Sequence, residues 1–185
     1  MNGTLQNQTA IVSGGLGDIG RAVALELARR GADVAISDIR APADAMELLD
    51  ELHKLQVRAR YDIVDVSQAS QVQGWIRAVE SELGLPTLVI PNAAIVTLKG
   101  VRTVSAEEWS RELSINLTGA FQMAQSAALR LIEHKKPGRI VFIGSWAAHA
   151  PHPTITTYCV AKAGLRMLCK CMALDLAPNG ILVNE

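Results

Sequence analysis

Three residue types able to move a proton stand near the carboxyl end of this sequence: Ser145, then Tyr158 and Lys162 in Tyr158-Cys159-Val160-Ala161-Lys162. On a helix, positions four apart share a face, so this phenol and ammonium become neighbours. An ammonium beside a phenol favours the phenolate, and a phenol so tuned trades protons with an alcohol or carbonyl near neutral pH. Ser145, thirteen residues before the tyrosine, adds a hydroxyl that can donate to a reacting oxygen. Many helices carry a Tyr-x-x-x-Lys pair by chance. Its meaning therefore depends on the elements that position it.

Far upstream, Ser13-Gly14-Gly15-Leu16-Gly17-Asp18-Ile19-Gly20 lies between an apolar run and an amphipathic one. Glycines between a strand and a helix let backbone approach a pyrophosphate, and the helix N-terminus supplies free N–H groups and partial positive charge. Gly15, Gly17 and Gly20 spell Gly-x-Gly-x-x-Gly, and Gly14, Gly17, Ile19 and Gly20 are the candidate cofactor contacts; a purely structural glycine turn is the plainer alternative. Asp38 follows Gly20 by eighteen residues, at the end of the next apolar run. A carboxylate there accepts both adenosine ribose hydroxyls and repels a 2′-phosphate, which favours NAD over NADP. Arg40 weighs against that preference, and a solvated strand-end carboxylate is the simpler account of Asp38.

Short β-rich runs at 9–13, 33–37, 57–64, 88–91, 139–144 and 181–184 alternate with amphipathic runs at 18–30, 42–55, 69–83, 105–134 and 156–177. Ser105-Ala106-Glu107-Glu108 is a capping box at the start of the fourth helix. Gly31, Lys136-Pro137-Gly138 and Pro178-Asn179-Gly180 supply the stops. Alternation of this kind predicts an α/β fold, a Rossmann-like doubly wound parallel sheet flanked by helices. The strands are nearly continuous in Val, Ile, Leu and Ala, so both sheet faces are expected to be covered. Residues 1–185 read as one domain, since no repeat or linker divides them.

Composition bounds the partners. Lys plus Arg and Asp plus Glu number 18 each, so no net positive charge draws a nucleic-acid backbone. The opening Met1–Gln8 stretch is polar and no apolar run nears a membrane span, which predicts a soluble, cytoplasmic protein. Cys159, Cys169 and Cys171 lack metal or disulfide spacing and read as small buried hydrophobes. His149 and His152, in Ala148-His149-Ala150-Pro151-His152-Pro153, belong to a proline-flanked loop without a third ligand, so no metal is expected. They line a substrate pocket or a surface loop. The last helix is apolar nearly all round, through Val160, Leu165, Met167, Leu168, Met172 and Leu174. One side can cover the sheet and the other can meet a second subunit.

Together these motifs resemble the short-chain dehydrogenase/reductase family from about Thr9 to the end. The family's Thr-Gly-x-x-x-Gly-x-Gly opening falls on Ser13, Gly14, Asp18 and Gly20; Asp18 replaces its middle glycine and becomes a helix-cap candidate. Asp65-Val66 resembles the adenine-contacting Asp-Val pair, and Asn92 and Ala93, within Pro91-Asn92-Ala93-Ala94, match part of Asn-Asn-Ala-Gly. Asn116 matches the family's fourth catalytic residue, and Ile140-Val141-Phe142-Ile143-Gly144-Ser145 its strand ending in the active-site serine. The resemblance implies an NAD-linked oxidoreductase acting on a small alcohol or ketone through Asn116, Ser145, Tyr158 and Lys162. Tyr158 and Lys162 would also touch the cofactor, Lys162 at the nicotinamide ribose. It implies a homodimer or homotetramer through the last two long helices. It also implies a further strand and a substrate lid beyond Asn184-Glu185, where the sequence ends. A nucleotide-binding or dimerising remnant without catalysis is the rival expectation.

Overall fold

In the computed structural model, which describes residues 4–185, six strands form one parallel sheet in the order β3-β2-β1-β4-β5-β6. The strands are β1 (Thr9–Ser13), β2 (Asp33–Asp38), β3 (Ala59–Ile63), β4 (Pro86–Ile90), β5 (Gly138–Val141) and β6 (Ile181–Asn184). Between them run α1 (Asp18–Arg29), α2 (Met46–Lys54), α3 (Ala69–Leu83), α4 (Ala106–Leu113), α5 (Ala120–Glu133) and α6 (Thr156–Leu176). The chain winds outward from β1 to β3, returns beside β1 as β4, then winds the other way. The loops after β1 and β4 thus part to opposite faces and leave a crevice at the carboxyl ends of those strands. Met1 to Gly3, the start of the polar opening, lie outside the described residues.

Alternation along each strand divides the core into two layers. Ile11, Val89 and Ile140 pack with Met123, Leu131 and Leu165 of α5 and α6. Val12, Ile36, Leu88 and Ile90 pack with Ala24 and Ala28 of α1 and Leu48 and Leu52 of α2. β1 is buried at every residue, as the unbroken apolar run predicts, but β5 and β6 alternate buried and exposed. Coverage of both faces therefore holds at the sheet centre and fails toward the β6 edge.

The structure redraws several boundaries. β3 is shorter than the expected 57–64 run, β4 begins two residues earlier at Pro86, and β5 ends at Val141, three before the expected Gly144. Pro42–Ala45 forms a tight 3-10 turn ahead of α2, in keeping with proline's fixed φ at a helix start. The expected helix over 105–134 is interrupted by a π turn at Ser114–Gly119. A π turn inserts a residue that local periodicity does not register. Its start is as expected: Ser105 accepts from the Glu108 N–H, and the Glu108 carboxylate accepts from the Ser105 N–H.

α6 carries all three cysteines, yet only Cys169 is buried; Cys159 is partly buried and Cys171 exposed. Val160, Met167 and Leu174 also stand exposed, Leu174 at 82 %. The expectation that all the cysteines are core residues fails because α6 covers the sheet with one side only. Among the described residues no helix is long and apolar enough to cross a membrane.

Candidate active site

The crevice between β1 and β4 opens into a groove of about 470 Å³ lined by the glycine turn, Asp38, Asp65-Val66 and Asn92-Ala93. Every cofactor contact expected outside α6 lies along it: Gly14, Gly17, Ile19, Gly20, Asp38, Asp65, Val66, Asn92 and Ala93. Asp18, Arg40 and Ala94 also line it, and Ile39, Val64, Ile95 and Ile115, which no local pattern announced, complete the wall.

The turn is shaped by close backbone approach. Gly14 has φ +62°, and a Cβ there would sit 2.8 Å from the Ala93 Cα. A Cβ on Gly20 would lie 2.2 Å from the Gly14 carbonyl oxygen, so the helix can start this close only with glycine. Gly17 differs: a Cβ there meets nothing nearer than 3.5 Å. Asn92 clasps the turn from across the crevice, its Nδ2 donating to the Ser13 and Gly14 carbonyls at 3.0 Å each. The Ser13 Oγ in turn accepts from the Asn92 and Ala93 N–H groups at 3.1 and 3.2 Å. These four bonds join β1 to β4 at the switch point.

Asp38 is placed by backbone donors. Its Oδ2 accepts from the Leu16 N–H at 3.2 Å and its Oδ1 from the Ile39 N–H at 2.8 Å. The Arg40 Nε lies 3.6 Å from Oδ1. The Tyr61 hydroxyl donates to the Arg40 carbonyl at 2.6 Å and holds this corner. Asp18 departs from expectation. Gly17 is the cap residue of α1 and no side chain caps it, so Asp18 occupies the first helical turn, where its charge suits the helix dipole.

Lys162 and Tyr158 share a face of α6, with the Lys162 Nζ 5.5 Å from the centre of the phenol ring. Lys162 is buried and donates to the Ile143 carbonyl at 2.7 Å. Burial pushes its pKa down, since leaving water penalises the ammonium, and the Glu185 carboxylate opposes that shift. Ser145 follows β5 at the head of a short 3-10 turn, Trp146–Ala148, that packs on α6. Its Oγ accepts from the Ala147 N–H at 3.2 Å, which leaves the hydroxyl proton available to another acceptor.

Asn116 sits in the π turn and is 1 % exposed. Its Oδ1 accepts from the Ile95 N–H at 2.8 Å and its Nδ2 donates to the Ile95 carbonyl at 2.7 Å. The amide is therefore committed to the loop after β4. His149 belongs to the loop after Ser145, as its prolines foretold, but it faces Arg166 of α6, whose guanidinium contacts its Nε2. His152 stacks edge-on with Trp146, ring centres 5.9 Å apart. Among the described residues no group of three or more His, Cys, Asp or Glu side chains could hold a metal ion.

Comparison with known proteins adds family to geometry. The sequence profile described as short chain dehydrogenase matches residues 8–185. A short-chain dehydrogenase/reductase of Armillaria gallica is 34% identical over 180 residues, 97% of this chain and 69% of that protein. The crystal structure of NAD+-bound xylitol dehydrogenase superposes with a TM-score of 0.93 at 29% identity, over 98% of this chain and 69% of that one. An acetoin dehydrogenase from Salmonella typhimurium gives 0.90 at 33% identity, over 96% of this chain and 70% of its own.

Proposed function

We propose that this chain, which belongs to the short-chain dehydrogenase family, oxidises an alcohol or reduces a carbonyl with NAD(H), Tyr158 serving as the acid–base group. The observation that carries the reading is the buried Lys162 ammonium under the Tyr158 ring, at 5.5 Å from its centre. An ammonium this close to a phenol favours its charged form, and the bond from Lys162 to the Ile143 carbonyl holds the ammonium in that place. In this reading Tyr158 takes the proton of a substrate hydroxyl, or returns one to a carbonyl oxygen, and Ser145 donates to that same oxygen. Lys162 steadies the phenolate and reaches the nicotinamide ribose.

The groove fits the dinucleotide. The Gly17 position leaves room above the start of α1, Gly17, Ile19 and Gly20 of that start line the groove, and the Asp38 carboxylate lines it from the end of β2, an arrangement that suits a pyrophosphate and an adenosine ribose. Gly14, Gly17, Ile19 and Gly20 would hold the pyrophosphate, Asp65 and Val66 the adenine, and Asn92 and Ala93 the nicotinamide half. Nicotinamide supplies the hydride acceptor or donor. The Asp38 carboxylate favours NAD over NADP. Its neighbour Arg40 is already drawn toward that carboxylate, which weakens its appeal to a 2′-phosphate. Asn116 takes the family's fourth catalytic position, with its amide bonded to both backbone groups of Ile95.

The chain acts, on this reading, as a single cytoplasmic domain. The exposed apolar side of α6 supports association into a homodimer or homotetramer. The test is direct: incubate the folded chain with NAD and a panel of secondary alcohols and follow NADH absorbance. NADH formation supports the enzyme. Thermal stabilisation by NAD with no turnover on any alcohol would favour the rival, a binding chain that has no catalysis.

A further inference from the structure

Glu112 is the most buried acidic residue among the described residues, 0 % exposed, and the mechanism above makes no use of it. Among the described residues no cation meets it within ion-pair distance. Instead its Oε2 accepts from the Thr97 N–H at 3.1 Å, and its Oε1 faces the Asn116 Nδ2 at 3.4 Å. A carboxyl wholly removed from water and held only by neutral donors is costly to keep. Its surroundings show what it holds.

Glu108, Glu112 and Asn116 follow one another at intervals of four along one helical face. Their partners follow at intervals of two along the loop after β4, in the reverse direction. Glu108 takes the Lys99 ammonium at 2.6 Å, Glu112 takes the Thr97 N–H, and Asn116 takes both backbone groups of Ile95. Four helical residues advance about 6 Å, a distance that two residues of non-helical chain can span. The two periods match, and the contacts form a ladder of three rungs. The loop so held has functional neighbours at both ends. Ile95 lines the cofactor groove, and the Lys99 carbonyl accepts from the Thr156 N–H, at the start of the helix that carries Tyr158.

We infer that Glu112 is a positioning residue, the middle rung of a ladder that fixes the 95–99 loop between the cofactor groove and the first turn of α6. It acts through Thr97 and Asn116 and touches neither substrate nor cofactor. The importance of this loop for NAD rests on the function proposed above; the ladder itself does not. Two acceptors are needed at one side chain, since both of its partners donate. Glutamine offers one acceptor and one donor, so at this site it can serve only one partner and opposes the other.

The test uses Glu112→Gln, which keeps size, and Lys99→Met, which removes the partly exposed outer rung. Amide exchange at Ile95 and Thr97 should accelerate roughly tenfold or more in Glu112→Gln, and the NAD dissociation constant should rise about tenfold, measured where circular dichroism shows the variant fully folded. Glu107→Gln, on the neighbouring exposed position of α4, should change neither. A folded Glu112→Gln with wild-type exchange and wild-type NAD affinity overturns the inference. If Glu112→Gln does not fold, Lys99→Met decides: faster exchange over residues 97–99 supports the ladder, and unchanged exchange overturns it. Should the wild type itself fail to bind NAD, the proposed function falls while the exchange data still judge the ladder.

Discussion

At the Gly14–Gly20 turn the site is made of backbone, whereas at the Tyr158–Lys162 end it is made of side chains brought from separated parts of the chain. The glycine turn is enforced by contact distances: a Cβ at Gly20 would lie 2.2 Å from a carbonyl oxygen that cannot swing aside. The Tyr158–Lys162 end has no such rigid template. There Lys162 is held by the Ile143 carbonyl, Ser145 by its 3-10 turn, and Asn116 by Ile95. Where backbone packs on backbone, as at Gly20, a site tolerates almost no added side chain but many changes in chemistry. A side-chain site shows the reverse, and this contrast can be tested directly.

The largest effect is expected at the side-chain end. Tyr158→Phe removes one oxygen and keeps the ring, so turnover should fall about 10²–10⁴-fold while NAD affinity, read by fluorescence titration, stays nearly unchanged. Wild-type turnover in that variant would remove Tyr158 from the mechanism. At the backbone end, Gly20→Ala should destabilise the fold by about 1–3 kcal/mol or more, because the new methyl strikes backbone. Urea denaturation measures this. Gly17→Ala, with its nearest contact at 3.5 Å, should lie within about 0.5 kcal/mol of wild type by the same assay. Equal losses for the two glycines would break the contrast.

Asp38→Ala tests chemistry at the backbone end. It should weaken NAD binding roughly tenfold and narrow the preference over NADP, as judged by titration with each cofactor. The smallest effect belongs to a group outside both ends. The Arg130 guanidinium hydrogen-bonds Glu80 and holds its carboxyl below the usual range, against an opposing push from burial. A lowered folded-state pKa means stability that is present above the unfolded value and lost as pH falls through the folded one. The stability difference between wild type and Glu80→Gln should therefore be present above about pH 4.3 and shrink as pH drops below it. A difference that grew as pH fell below about 4.3 would mean that neither Arg130 nor its neighbour His134 acts on Glu80.

The turn and the Tyr158–Lys162 pair were legible for the same reason: each is a local pattern. Apolar run, glycines, amphipathic run is a sequence of neighbours, and positions four apart on a helix meet whatever else the chain does. The π turn was not legible, because 105–134 keeps a helical pattern while its register slips at Ser114–Gly119. Asp18 misled for a related reason. Capping depends on which residue is last before the helix, and here that is Gly17. Glu112 left one faint signal, its spacing of four from Asn116 on a predicted helix, but nothing local says which loop would cross that face.

Sequence alone determined the alternation of strands and helices, the parallel doubly wound class, and the residue types able to bind a dinucleotide and move a proton. Periodicity and turn chemistry act within a few residues, so they survive translation into a single line of letters. Tertiary structure alone decided that Asn92 clasps Ser13 and Gly14, that Asp38 rests on the Leu16 N–H, and that Glu112 and Asn116 hold the loop after β4. Each of those bonds joins residues 15 to 79 positions apart. They form only once the sheet order brings those loops together, and no local pattern carries that order.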